Sequence, residues 1–302
     1  MFVQQIQGVI NVSLPVIALC GLFPALPGSF TGRFLCAVLI GLYVCFLNWT
    51  QIKNLQTTLK HSPTDAHKDL FRDLIKECNI DPDSIVLRYA YTNESIGLTS
   101  GNTVIIDPLA WSNLDGDPEA IKVKNIFKDY IQSTLSISKK ERIAAVATTL
   151  TPGAQRFIFK HEVGHVIHNF SHKSLVTIFV IGFLAAYIGV TAAMTLPLEG
   201  FIAGLAGMAV GGVSDLLLTF TSNFFWRTRE EQKADLFAAQ NSSYEDIIEA
   251  ADFFSQHQKI LNANPEPQNL LAYVPSSMRT GHPNAIWRSA YLKELAKQKQ
   301  LQ

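Results

Sequence analysis

The sequence predicts an α+β integral membrane protein: a mainly helical domain with a small β-sheet, joined to about four transmembrane helices. Three observations carry this expectation. Of the 302 residues, 48% are hydrophobic and only 17% charged, against roughly 25% charged in an average soluble domain. The charges are absent from residues 1–32, 34–52, 174–198 and 200–214, and a bilayer core takes about 20 apolar residues of helix. The polar stretches between and after these runs show mostly helical apolar spacing, with two short strand-like runs. The 25 basic and 25 acidic residues cancel, which argues against a nucleic-acid partner, and the long apolar runs exclude a disordered chain.

The elements follow in chain order. Residues 1–52 read as an N-terminal transmembrane hairpin. Its first span, Val9–Leu26, carries Pro15 and Pro24 and is expected to kink or re-enter. It has no basic n-region or clean cleavage site, so it is read as retained. The second span is Phe34–Ile52, with Trp49 as an interfacial anchor. Residues 53–173 form the first part of a cytoplasmic domain. Ala66–Cys78 is an amphipathic helix, Ile85–Tyr91 and Thr103–Asp107 are strands, and polar Asn93–Gly101 separates them. A small sheet with at least one hairpin is expected. A polar loop at 112–120, helices near 121–134 and 139–149, and a helix over Gln155–Phe170 complete this part.

Residues 174–226 read as an internal transmembrane hairpin with spans Leu175–Leu196 and Phe201–Phe220. Ala185, Gly189 and Ala193 on one, and Ala203, Gly207 and Gly211 on the other, repeat every four residues, a spacing that lets helices approach closely. Asp215 is expected near the headgroups rather than at mid-bilayer. Residues 227–302 form the second part of the soluble domain, with helices over Arg229–Gln240, Tyr244–Leu261 and Asn284–Lys297. Lys53, Lys60, Lys173, Arg227 and Arg229 flank the spans on the soluble side, so the positive-inside rule puts both soluble parts in the cytoplasm. Cys20, Cys36 and Cys45 lie in apolar runs, and Cys78 stands apart from them. That is neither a disulfide framework nor a metal-ligand spacing.

The sharpest motif is His161-Glu162-Val163-Gly164-His165. On a helix, positions i and i+4 share a face, so both imidazoles can bind one Zn2+ while Glu162 deprotonates water. His168 and Ser171 stand where the metzincin pattern needs Gly and His, which excludes that class. His168 and His172 are read as helix-end or interface residues. A catalytic zinc takes three protein ligands, and Arg229–Asp235 offers the third. Glu231 and Asp235 share a face, so Glu231 can complete the site while Asp235 accepts a hydrogen bond from a ligand imidazole. Glu230 in the ligand's place is the alternative. His282 or Arg288 can supply a donor to a developing oxyanion, and Arg288 can equally pair with Asp235 or Glu230. From His165 to Leu175 is ten residues, about 15 Å if helical, which places the metal near the membrane surface.

HEVGH, two further spans and then Glu231-Gln232-Lys233-Ala234-Asp235 resemble the HtpX-like membrane zinc endopeptidases, relatives of the CAAX prenyl proteases. The resemblance implies a zincin-type peptidase domain with one zinc per chain on His161, His165 and Glu231. It gives Glu162 as general base and Asp235 as the family's aspartate. Thr280-Gly281-His282-Pro283 followed by Arg288 resembles a T-H-P-P segment, with an extra Gly281 and with Asn284 for the second Pro. Asn93–Gly97 resembles a segment near the family's substrate-binding edge strand. Residues 112–155 look longer than the family's usual link, and Lys160 stands where a small residue is commoner. The implied function is a multi-pass membrane endopeptidase of a bacterial inner membrane. Its catalytic domain would face the cytoplasm and act on polypeptide substrates of the lipid bilayer in protein quality control. A prenyl-protein processing protease and a non-catalytic membrane scaffold are the alternative readings. The oligomeric state is not legible.

Overall fold

The computed structural model describes residues 30–58, 61–90, 97–107, 118, 120–122, 125, 150–195, 200–263 and 283–301. The expected span Val9–Leu26, nearly all of the expected helices at 121–134 and 139–149, most of Asn93–Gly97, and His282 lie outside the described residues. The chain divides into two compact units. One comprises Met1–Asn54 with His172–Phe225, the other Leu55–Ser171 with Trp226–Gln302.

In the first unit, α1 (Phe30–Thr58) packs on α4 (Phe170–Thr195), with Ala37 and Ile40 buried against Ala186 and Val190. The glycine spacing read from the sequence brings α4 against α5 (Gly200–Ser222). A Cβ added to Gly189 would sit 2.7 Å from the Gly207 carbonyl oxygen, and one added to Gly207 would sit 2.7 Å from that of Gly189. These backbones touch because no side chain separates them. Among the described residues three helices are long and apolar enough to cross a membrane: Thr31–Thr50, Phe170–Thr195 and Ile202–Gln240. Leu35, Leu39, Phe46, Val176, Val180, Val213 and Leu217 are exposed along them, the outward apolar surface of a helix that meets lipid.

The second unit is mainly helical with a small open sheet. Its strands are β1 (Val86–Tyr89), β2 (Gly97–Ser100) and β3 (Thr103–Ile106), in the order β1-β3-β2. β2 runs antiparallel to β3, with Leu98 opposite Ile105, so the hairpin forms from the segment read as a polar link and not from the two strands read in the sequence. The turn between them includes Gly101 in the left-handed region at φ 62, where a Cβ is disfavoured. β1 pairs parallel to β3, with Leu87 opposite Val104. Polar Asn93–Gly101 thus ends in a third strand instead of being loop throughout. A run of Gly, Thr and Ser shows too little apolar alternation to be read as one.

Two cores meet on α3 (Pro152–Ile167). Phe159 and Val163 pack with α2 (Asp65–Glu77) and the sheet through Phe71, Ile75, Tyr89, Val104 and Ile106. Phe157 and Ile158 pack into a second core built from α6 (Thr228–Gln240), α7 (Tyr244–Ala263) and α8 (Ala285–Gln300), through Ala238, Ile247, Phe253, Phe254 and Leu292. Apolar residues therefore sit on opposite sides of α3, as expected for a central buried helix. Thr151 caps α3 by accepting from the Ala154 N–H, and Pro152 opens it, so it starts three residues before the expected Gln155. It ends at His168, and Asn169 adopts φ 53 before α4 begins. His165 to Leu175 is accordingly not one continuous helix, so the helical rise behind the figure of about 15 Å does not apply across the break. In contrast, α5 runs on through a π-helical turn at Asn223–Arg227 into α6, beyond the expected span end at Phe220.

Candidate metal centre

HEVGH lies in the last turns of α3, where His161, Glu162 and His165 are all buried. What lets a second helix reach them is the absence of side-chain bulk on both partners. A Cβ on Gly164 would lie 3.2 Å from the Ala234 Cα and 3.1 Å from Phe237. Gly164 and Ala234 thus let α3 and α6 pack backbone to backbone, and Glu231, one turn before Ala234, arrives at the histidines. Gly164 escaped the sequence reading because it occupies a variable place in the motif. A glycine inside a helix is itself the signal for such an approach.

Nε2 of His161 lies 3.3 Å from one Glu231 carboxylate oxygen, and Nε2 of His165 lies 3.4 Å from the other. The three residues offer ligand atoms within 4.8 Å of one another. A zinc ion takes imidazole nitrogens and a carboxylate oxygen converging on one point, so the grouping and the chemistry of these donors fit that ion. Two imidazole nitrogens and one carboxylate as ligands leave a fourth position open, the pattern of a catalytic site.

Behind His161 lies a buried ionic chain. Its Nδ1 is 2.8 Å from Asp235 Oδ1, which fixes the proton on Nδ1 and leaves Nε2 to bind metal. Arg288 on α8 grips the same carboxylate with two nitrogens, Nε at 3.0 Å from Oδ2 and Nη2 on Oδ1. Its guanidinium also sits 4.0 Å from the Phe254 ring centre, a cation–π contact. Burial works against charge on His161, but Asp235 and then Glu231 outweigh it and raise its pKa to about 9. Burial likewise opposes charge on Arg288, and Asp235 more than compensates, so its pKa is raised. Of the two partners weighed for Arg288, the geometry selects Asp235. Glu230 is turned to Lys233, 2.6 Å away.

Glu162 accepts a hydrogen bond at Oε2 from the Thr99 hydroxyl of β2 (2.8 Å). Thr99 was not singled out in the sequence, since a hydroxyl 63 positions away carries no local signature. His168 is the C-cap of α3, with its ring 6.2 Å from that of Phe237. Phe170 packs 4.7 Å from the His165 ring and stacks on Trp226. Lys160 is buried at 2% exposure, its ammonium bonded to Glu77 Oε2 (2.6 Å) and the Asn241 carbonyl (2.5 Å). It joins α3 to α2 and to the C-terminal end of α6, where a cation is favourable.

A family model, Peptidase family M48, matches residues 138–296, slightly more than half of the chain. No curated protein and no solved structure matches it.

Proposed function

The chain belongs to peptidase family M48, and from that premise we propose that it is a membrane-bound zinc endopeptidase. It would hydrolyse peptide bonds in membrane or membrane-associated proteins, in the service of protein quality control. The observation that carries the reading is the convergence of His161, His165 and Glu231 from two helices, with Glu162 beside them. In this reading the three residues hold one zinc, which supplies Lewis acidity that activates water and polarises a carbonyl. Glu162 takes the proton of the attacking water and returns it to the leaving amine. Asp235 holds the His161 tautomer and Arg288 holds Asp235, so Arg288 acts from behind the ligands. His282 is proposed as the donor to the oxyanion. β2 lies at one end of the strand order β1-β3-β2, and an extended peptide adding to its outer side would be held by main-chain bonds. Such pairing is tolerant of sequence and suits a protease of misassembled proteins.

Both soluble parts are proposed to face the cytoplasm of a bacterial inner membrane. They would form one domain from residues 53–173 and 227–302, with residues 1–52 and 174–226 as the membrane hairpins. The intact ligand set, Glu162 and Asp235 favour an enzyme over a scaffold, which would need none of these groups. The test uses Glu162→Gln in detergent-purified protein with casein as substrate. Cleavage should fall at least about 100-fold, while zinc content stays at the wild-type level. Wild-type rates from Glu162→Gln, with contaminating proteases excluded, would overturn the mechanism.

A further inference from the structure

The geometry points to Thr99 as a positioning residue for Glu162, a role that rests on the reading of Glu162 as the base. Its hydroxyl is 2.8 Å from Glu162 Oε2 and 3.0 Å from the Glu162 carbonyl oxygen. One hydrogen therefore has two acceptors on the same residue. Donated to Oε2, it fixes the plane of the carboxylate and leaves Oε1 as the oxygen that takes the proton. When Glu162 is protonated, its carboxyl becomes the weaker acceptor. The same hydrogen then turns to the carbonyl without any movement of Thr99. Thr99 thus holds Glu162 in both of its states and never carries the transferred proton itself.

The strand that bears Thr99 is itself fixed. One residue past the end of β2, the Gly101 N–H donates to Ser171 Oγ (2.8 Å), just beyond the far end of α3. The β2–β3 hairpin is therefore held at two points, one at the base and one two residues further along, so the position of the hydroxyl is set by the fold. A carboxylate free to rotate would spend only part of its time aligned with the water, and misalignment of a reacting group lowers kcat more than binding.

The test compares Thr99→Val, which keeps the shape and removes the donor, with Thr99→Ser, which keeps the donor. Full-length proteins in detergent are assayed for zinc content, melting temperature, kcat and KM on a quenched-fluorescent peptide, beside wild type and Glu162→Gln. Thr99→Val should lose about 10- to 100-fold in kcat with KM changed by no more than about twofold and zinc unchanged. Thr99→Ser should stay within about threefold of wild type. The role of Thr99 is overturned if wild type cleaves, Glu162→Gln does not, and Thr99→Val retains its kcat. It is equally overturned if Thr99→Ser falls as far as Thr99→Val, or if the loss lies in KM. Should Thr99→Val fail to fold, the serine variant decides alone, because a low kcat in a zinc-loaded, stable Thr99→Ser protein contradicts the role. If wild type itself shows no zinc-dependent cleavage, the peptidase reading fails first and takes this role with it.

Discussion

Asp235 is wholly buried, at 0% exposure, between His161 and Arg288. A buried carboxylate is tolerable only when paired, so its value lies in what it does to the imidazole. Asp235→Asn keeps the shape and loses the charge, and it should cut zinc affinity or activity by about 10- to 100-fold. His161→Ala should lose metal and activity together, and metal analysis beside a cleavage assay separates the two outcomes. The same charge sets a pH dependence. With no metal bound, His161 keeps its proton up to about pH 9, whereas an unfolded histidine titrates near 6.5. Its folded pKa is raised, so its contribution to the stability of the metal-free fold is fully present below about 6.5. That contribution is lost as pH rises through about 9. Zinc needs the neutral imidazole, so its binding releases this proton. Apparent affinity should therefore rise about tenfold per pH unit up to that pKa and then level off, measured by competition with a chelator of known pH behaviour. An affinity flat between pH 6.5 and 8.5 would show that no proton leaves His161.

At the scale of elements, the close pairs of helices depend on missing side chains. Gly164→Val should push α6 from α3, because its branches would enter space where even a Cβ lies 3.1–3.2 Å from Phe237 and Ala234. Zinc content and melting temperature should both fall, as for overpacking by about 1–3 kcal/mol; a protein with wild-type values for both would refute this packing role. The helical elements were legible because their signals are local. Apolar spacing gave α2, α6, α7 and α8 nearly to their ends, and the i, i+4 pairing of His161 with His165 placed them on one helix. Three features were not legible. β2 is polar, so it shows no alternation. The break at Asn169 rests on a left-handed backbone that many sequences would not need. The link from Thr99 to Glu162 joins segments far apart in the chain and arises only once the sheet packs on α3.

For the whole molecule, the chain passes between its two units near residues 54, 171 and 225. From the charge asymmetry around the spans we propose that both soluble parts lie on one side of the membrane. Single cysteines at Asn113 and Ser255, in a protein with its own cysteines removed, should both be labelled by an impermeant reagent only from the cytoplasmic side. Labelling from opposite sides would contradict the shared orientation. The central claim, however, is that two distant segments of the sequence, α3 and α6, build one metal centre, and it is tested most directly by the zinc content of purified Glu231→Ala beside wild type. Wild type should hold about one zinc per chain, and Glu231→Ala should lose most of it through the loss of one of three protein ligands. A Glu231→Ala protein that keeps the full wild-type complement, or a wild type that binds no zinc when it is supplied, would contradict it.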